Sequence, residues 1–177
     1  MEILTQQPIL HTPRFDLRPV RMSDLTLIEH YASDSRLAMH TPRLPHPLPP
    51  GLIAGFIERA MASERDEDVW VMDGTAHNDG EVMGVISLMR LDRNQSEVGY
   101  WVATPFWNTH VASDAVTALV AGNPLGNDAM FASVFHDNPA SAKVLTNAGF
   151  AYLGDAETFC LARGATVPTW TYSLKLR

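Results

Sequence analysis

The chain has 177 residues and a mass of 19.5 kDa, which is enough for one domain with a substantial core and leaves little room for a second. Hydrophobic residues make up 46% of the chain and charged residues 19%, which excludes intrinsic disorder and collagen-like repeats. The 20 acidic side chains outnumber the 13 basic ones, for a formal net charge of -7, and no Lys/Arg-rich run offsets this charge. The composition therefore argues against binding of nucleic acid through a basic surface.

The sequence also lacks the usual signs of a membrane, secreted or metal-binding protein. No apolar run approaches the roughly 20 residues of a membrane-spanning helix, and the first residues do not resemble a secretion signal. We therefore expect a cytoplasmic location and no membrane partner. Cys160 is the single cysteine, expected as a small buried apolar side chain, and the seven histidines show no ligand spacing. No metal is predicted.

The first elements in chain order are a strand and a short helix. Phe15, Leu17 and Pro19 alternate with their neighbours, which is typical of an edge strand that ends near a proline. Ser23 is expected as the N-cap of the following helix, with Asp24 in its first turn.

A proline-rich loop and a second helix come next. The segment Thr41–Pro50 holds five prolines in ten positions, which predicts a stiff irregular loop. After the loop, apolar residues repeat with helical spacing and predict a helix with one apolar face. These residues are Leu52, Ile53, Phe56, Ile57, Ala60 and Met61.

The middle and the end of the chain predict a mixed α/β sheet. Val69–Met72, Val82–Asp92 and Ser96–Ala103 are expected to form an antiparallel meander. A βαβα pattern then follows it, so the predicted fold class is α/β with a mixed sheet. Its elements are a helix over Ser113–Ala121, a strand over Ala129–His136, a helix over Pro139–Ala148 and strands over Phe150–Leu153 and Trp170–Leu176.

The most informative local pattern surrounds the last predicted helix. Asn138 is a good N-cap, Pro139 suits the first helical position, and Gly149 followed by Phe150 is a usual C-terminal stop. Helix architecture alone explains these residues, so spacing by itself does not assign a binding role to Asn138 or Ser141.

The motif HDNPASAKVLTNAGF (His136–Phe150) resembles the fourth-helix signature of the GNAT acetyltransferase superfamily, and more closely its RimJ/RimL-like branch. Further similar pieces occur in the expected order and extend the resemblance over Arg14–Arg177. We therefore expect a single domain over residues 1–177, with residues 1–13 as an N-terminal extension. The pieces are RFDLRPVRMSDL, TPRLPHPLPP, GVISLMRLD, SEVGYWV, PFW and TWTYSLKL.

The resemblance implies that acetyl-CoA binds where two parallel strands splay apart, here Ser96–Ala103 and Ala129–His136. Backbone amides near Val102 would bond the pantetheine arm and stabilise an oxyanion, and the start of the next helix would hold the pyrophosphate. The cofactor-binding residues implied are Val102, Asn108, Thr109, His110, Val111, Ala112, Ser113, Asn138 and Ser141.

The family pattern of the pyrophosphate loop is Q/R-x-x-G-x-G/A, and close relatives read like W-G-x-G-Y-A. This chain has Trp107-Asn108-Thr109-His110-Val111-Ala112, so only the tryptophan and the final alanine of that form remain. Glycine permits positive φ and close approach to phosphates; Asn tolerates positive φ fairly well and His less so. Two interpretations stay open: a protonated His110 pairs with a phosphate, or His110 marks a lost cofactor site.

Two residues are candidates for catalysis and one for substrate recognition. The resemblance implies that Glu97 accepts a proton from the amine through water, the alternative being a solvated or ion-paired strand residue. Ser141 is the candidate donor to the leaving sulfur, because Leu145 stands where many relatives carry a tyrosine; its alternative is a first-turn serine bonded to backbone. Arg43 is a candidate for recognising a carboxylate on the acceptor.

The predicted function is acetyl transfer from acetyl-CoA to a primary amine by direct attack, the acceptor being a protein N-terminus or a small molecule. The alternative is an inactive acyl-CoA-binding or protein-interaction domain whose pyrophosphate loop has drifted. Pairing of exposed strand edges makes a homodimer an expected assembly.

Overall fold

A mixed sheet of eight strands runs through the centre of the computed structural model, which describes residues 7–177. The strand order is β1-β2-β3-β4-β5-β6-β8-β7. The strands are β1 (Leu10–His11), β2 (Asp16–Pro19), β3 (Glu67–Asp73), β4 (Gly84–Leu91), β5 (Gln95–Val102), β6 (Ala129–Phe135), β7 (Ala151–Cys160) and β8 (Ala165–Lys175).

Helices cover both faces of this sheet. Neighbouring residues of a strand point to opposite sides, and the central strands carry apolar side chains on both sides. On one face, Val69 and Val71 of β3 pack against α1 and α3. On the other face, Trp70 and Met72 of the same strand lie in the cluster that α4 and α5 bury. The helices are α1 (Leu25–Ala32), α2 (Ser35–Ala38), α3 (Leu52–Met61), α4 (Val111–Gly122) and α5 (Pro139–Asn147).

The strand pairing confirms the predicted fold class. Strands β2 to β5 form an antiparallel meander, and β6 is parallel to β5 over only three residue pairs, from Gln95 with Ala129 to Glu97 with Phe131. Beyond Glu97 the two strands separate. The predicted pair of splayed parallel strands is therefore present, and it lies near the middle of the sheet.

The N-terminal segment differs from the sequence-based expectation. β1 pairs with Asp16 and Leu17, so β2 is an edge strand only at Arg18 and Pro19. Residues 7–13, expected as an extension, pack onto the sheet: the Trp70 indole donates to the Pro8 carbonyl over 2.9 Å. Residues 1–6 of the expected extension lie outside the described residues.

Two further boundaries are corrected. Ser23 is not the N-cap of α1, because residues 22–24 form a 3-10 turn and α1 begins at Leu25. The predicted strand Phe150–Leu153 is in fact the ten-residue β7, which pairs with β8 as a long hairpin. Most side chains of β7 are exposed, so neither apolar runs nor alternation marked its full length. Within residues 7–177, no helix is long and apolar enough to span a membrane.

A buried ion-pair network joins β2, the start of α1 and β3. The Arg18 guanidinium donates two bonds to Asp24, at 2.7 and 2.9 Å, and a third to Asp73 at 2.6 Å. Burial alone would lower the pKa of Arg18, but its bonds to the two carboxylates outweigh burial and raise it. Likewise burial opposes the ionisation of Asp73, but Arg18 and Thr75 hold the pKa of Asp73 below its usual range. The bond from Arg18 to Asp73, 55 positions further along the chain, thereby fixes β3 to β2 and the start of α1.

Removing one carboxylate charge of this network should destabilise the fold. In Asp24→Asn, a fully buried carboxylate that accepts from Arg18 and from the Arg21 amide loses its charge. Because the Arg18 charge then lacks half of its compensation, we expect a loss of about 3 kcal/mol in the free energy of unfolding, measured by urea denaturation.

The matched control is Asp34→Asn. Asp34 pairs with the exposed Arg36 and caps α2, and asparagine is an equally good cap. The control should leave the urea midpoint nearly unchanged. Equal midpoints for Asp24→Asn and the parent chain would contradict a stabilising role for the network.

Candidate active site

A cavity of about 560 Å³ opens where β5 and β6 separate. Its walls are the end of β5, the loop that leads into α4, the first turns of α5, and Leu37 to Thr41 at the end of α2. All nine residues predicted to bind the cofactor line this cavity. They are Val102, Asn108, Thr109, His110, Val111, Ala112, Ser113, Asn138 and Ser141.

Free backbone groups of β5 face this opening. The Ala103 amide bonds the Met83 carbonyl next to β4, and backbone groups alternate in direction along a strand. The N–H groups of Tyr100 and Val102 therefore point away from β4, toward the side where pairing with β6 has ended. The Val102 carbonyl accepts from the Trp107 indole at 2.6 Å, while its N–H stays free to bind a ligand.

The loop into α4 keeps a glycine-like backbone without glycine. Asn108 has φ of 61° and His110 has φ of 65°, both in the left-handed region that glycine adopts without strain. α4 then begins at Val111, and the amides of Val111, Ala112 and Ser113 have no backbone acceptor among the described residues. Such free amides at a helix start favour an anion.

Distant residues supply the positive charge that the loop itself lacks. Arg14 donates to the Thr109 carbonyl and, at 3.2 Å, to Asp114 in the first turn of α4. Arg14 thus neutralises a carboxylate that would repel a phosphate at this helix start. Lys143 of α5 lines the same cavity. Any anion in this cavity would therefore meet a cation as well as the amides and His110.

Two hydroxyls meet across the opening. Ser141 stands in the first turn of α5, where its amide donates to the Asn138 side chain at 3.4 Å. The Ser141 hydroxyl lies 2.5 Å from the Tyr100 hydroxyl of β5. Asn138 is thus the N-cap that its sequence pattern predicts, whereas the side chain of Ser141 contacts a tyrosine from the opposite wall.

Glu97 lies outside the cavity, on the opposite face of β5 from Tyr100. Its carboxyl reaches solvent, yet surrounding protein removes part of its hydration, and this desolvation raises the pKa of Glu97. Glu67 raises that pKa further, while Arg43 opposes both. Three residue steps along the strand, about 10 Å, separate Glu97 from Tyr100. A proton could reach Glu97 from the cavity only through intervening water.

Arg43 already has a carboxylate partner. Its guanidinium pairs with Glu67 at 2.6 Å, and Glu67 also accepts from Ser87 at 2.9 Å. Arg43 does not line the cavity. Because Arg43 is already paired, the structure does not support its recognition of an acceptor carboxylate. That role of Arg43 stays a prediction.

Sequence reasoning missed three residues of the site: Tyr100, Arg14 and Lys143. The alternation along SEVGYWV was a usable signal for Tyr100, because it sets Val98, Tyr100 and Val102 on the face opposite Glu97. No local pattern could place Arg14 beside Thr109, 95 residues further along the chain. Within residues 7–177, no cluster of three side chains suited to a metal occurs.

An open cavity between diverging strands, with free strand amides and a helix start at its edge, is a geometry that suits an extended anionic ligand. A family model described as "Acetyltransferase (GNAT) domain" matches residues 14–151, so the chain belongs to the GNAT acetyltransferase family. This confirms the predicted enzyme class. The family takes its acetyl group from acetyl-CoA and needs no metal, as predicted. No curated protein sequence matches the chain.

Solved structures share this fold at low sequence identity. Mycobacterium smegmatis RimJ in complex with CoA-disulfide is 21% identical, with a TM-score of 0.75 over 95% of this chain and 86% of that one. A ribosomal-protein-S5-alanine acetyltransferase from Vibrio fischeri is 20% identical, with a TM-score of 0.76 over 95% and 96%. Spermidine N-acetyltransferase from Vibrio cholerae, solved with CoA and spermine, is 13% identical, with a TM-score of 0.77 over 92% and 95%.

The left-handed conformation of His110 predicts an order of stability among variants. His110→Gly should be at least as stable as the parent, because relief of strain offsets the larger entropy of the unfolded chain. His110→Val should lose about 1 to 2 kcal/mol in the free energy of unfolding, since a β-branched residue fits φ of 65° poorly. Thermal unfolding of both variants tests this order.

Binding of CoA separates the two interpretations of His110. If a protonated imidazole pairs with a phosphate, His110→Asn should weaken CoA binding several-fold, because asparagine carries no positive charge. Asparagine tolerates positive φ, so the loop conformation is retained. Equal affinities of the parent and His110→Asn for CoA, by isothermal titration calorimetry, would rule out the ion pair.

Proposed function

We propose that this chain transfers an acetyl group from acetyl-CoA to a primary amine by direct attack. The observation that supports this most is the cavity at the β5/β6 separation, where free amides of β5 and of the α4 start meet. Strand amides suit the amide groups of a pantetheine arm, and the helix start suits a pyrophosphate. One elongated ligand with both features is CoA.

Different residues would serve the successive parts of the transfer reaction. The amine nitrogen attacks the thioester carbon, and negative charge develops on the carbonyl oxygen. The free N–H groups of Tyr100 and Val102 are the candidate donors to that oxyanion. Ser141 would donate to the departing sulfur, while Glu97, acting through water, would take the proton from the amine. The raised pKa of Glu97 favours this use, because it makes the carboxylate a stronger base.

We propose that the enzyme belongs to the RimJ/RimL-like branch, on the strength of the HDNPASAKVLTNAGF motif and the ordered pieces around it. Its acceptor is then a protein N-terminus or a small-molecule amine. The single domain over residues 1–177, the cytoplasmic location and the homodimer stay predictions. The second candidate function is a non-catalytic acyl-CoA-binding or protein-interaction domain, favoured by the loss of both loop glycines at Asn108 and His110.

Binding of CoA should raise the melting temperature of the purified protein. At 100 times the dissociation constant, a ligand of the folded state adds about 2.7 kcal/mol, which corresponds to roughly 5 to 10 °C for a chain of this size. Acetyl-CoA and CoA should both produce this shift. Pantetheine, which lacks the pyrophosphate and the nucleotide, should produce a much smaller one.

An amine panel then decides between the two functions. Release of free thiol from acetyl-CoA in the presence of one class of amine would support the enzyme. A melting shift without thiol release for peptides, polyamines and amino acids would favour the binding domain. No shift with either CoA or acetyl-CoA would contradict both the enzyme and the acyl-CoA-binding function.

The role of Glu97 predicts a pH profile. A carboxylate base is active above its pKa, and the pKa of Glu97 is raised, so kcat/KM should fall as pH drops through a value above that of an ordinary glutamate. Glu97→Gln should lower kcat about 10- to 100-fold and remove this acidic limb. The matched control is Glu157→Gln, an exposed position on β7. An unchanged profile in Glu97→Gln would remove Glu97 from the mechanism.

A further inference from the structure

The hydroxyl of Tyr100 joins β5 to α5 across the cavity by contacts with Ser141. The two hydroxyl oxygens are 2.5 Å apart, and the Ser141 carbonyl is a second, longer acceptor for the Tyr100 hydroxyl at 3.3 Å. Both residues line the cavity. The mechanism above uses Ser141 as a donor but gives no role to the phenol.

The direction of this hydrogen bond decides where the serine proton points. A serine in the first turn of a helix commonly bonds its own backbone, which would turn its hydrogen away from the cavity. If the phenol donates to Ser141 Oγ, one lone pair of that oxygen is occupied, and the serine hydrogen is free to point elsewhere. A phenol is a stronger acid than an aliphatic hydroxyl and is therefore the better donor of the two. Burial raises the pKa of Tyr100 to about 12, with the Ser141 bond opposing this rise, so the phenol keeps the proton that it donates.

We propose that Tyr100 is a positioning residue, whose phenol donates to Ser141 Oγ and so directs the Ser141 hydroxyl hydrogen into the cavity, toward the sulfur of a bound CoA thioester. This inference rests on the proposed acetyl-CoA chemistry. It adds a named residue on β5 that orients the donor to the leaving group.

The step balances without an ionised tyrosine. The C–N bond forms, the C–S bond breaks, and its electron pair moves to sulfur, where the Ser141 hydroxyl donates a hydrogen bond to the thiolate. The proton released by the amine reaches solvent, and a solvent proton completes the thiol. Full transfer from the phenol would be unfavourable by about three orders of magnitude, because an ordinary thiol has a pKa near 8.5, well below that of Tyr100.

A purely structural bond between β5 and α5 is the competing role. The two roles differ in their effect on the thiol of bound CoA, because a hydrogen bond to sulfur stabilises the thiolate and lowers the pKa of that thiol. A bond that merely ties the walls together leaves this pKa unaffected. The readout needs only the complex with CoA and no acceptor amine.

The experiment measures the rate at which iodoacetamide alkylates bound CoA as a function of pH, followed by mass spectrometry. Cys160, the only cysteine of the chain, is buried and identifiable by mass, so its background is separable. The variants are Tyr100→Phe, Ser141→Ala and the double substitution. The matched control is Tyr152→Phe, because Tyr152 donates an equally short bond of 2.5 Å to Asp155 on the exposed β7 hairpin.

In the parent complex we expect the thiol of bound CoA to have a lower pKa than the thiol of free CoA. Tyr100→Phe and Ser141→Ala should each lower the alkylation rate at pH 7 about 3- to 10-fold, and the double variant should be no slower than Ser141→Ala, since Tyr100 acts through Ser141. With the acceptor amine identified by the panel, kcat should fall about 10-fold in Tyr100→Phe, while KM for acetyl-CoA stays within about two-fold. Tyr152→Phe should match the parent in every measurement.

The possible failures are distinguishable. If the parent protein shows no melting shift with CoA, both acetyl-CoA use and this proposal are wrong. If CoA binds but its thiol titrates identically in the parent, Tyr100→Phe and Ser141→Ala, the proposal alone is overturned. Additive effects in the double variant would also overturn it, because they would show that the phenol acts independently of the serine.

Discussion

The parallel pairing of β5 with β6 ends at Glu97 and Phe131, and the site exists because the two strands separate there. A buried strand edge without partners is costly, because unpaired amides and carbonyls have lost their water. Side chains satisfy this edge only in part: the Trp107 indole donates a hydrogen bond to the Val102 carbonyl, and the Tyr100 hydroxyl bonds Ser141 across the opening. The remaining amides face an open cavity, where a ligand can satisfy them.

The entrance to α4 shows how this chain keeps a binding loop with unusual residues. Two side-chain-bearing residues, Asn108 and His110, adopt the left-handed conformation that glycine takes without strain. Arg14 braces the same loop from the N-terminal hairpin through the Thr109 carbonyl and Asp114. Backbone strain of about 1 kcal/mol per residue persists only where neighbouring contacts enforce it. Asn108 and His110 therefore hold positive φ angles without glycine.

Alternate side chains of β5 point to opposite faces of the sheet. Tyr100 and Val102 pack beside α4 and α5, whereas Glu97 and Trp101 point to the opposite face of the strand. There Glu97 is exposed, while Trp101 packs against the cluster of α1 and α3 and also lines the cavity. A donor bound in the cavity and an acceptor approaching from the other face would meet at the gap between the strands. The Arg43–Glu67 pair lies on the Glu97 face and, with Glu97 itself, sets the charge there.

The sequence by itself determined the mixed sheet, the meander and the helix capped by Asn138, because local periodicity and capping residues encode them. The resemblance of its ordered motifs to a family implied nine cofactor-binding residues, all of which are among those that line the cavity. Sequence reasoning missed the two-residue strand β1, the full length of β7, whose side chains are mostly exposed, and the 3-10 turn that precedes α1. Only the tertiary structure placed Arg14 against the loop, Arg43 against Glu67 and Tyr100 against Ser141. Each contact joins residues at least 24 positions apart, and no local pattern specifies which distant side chains meet.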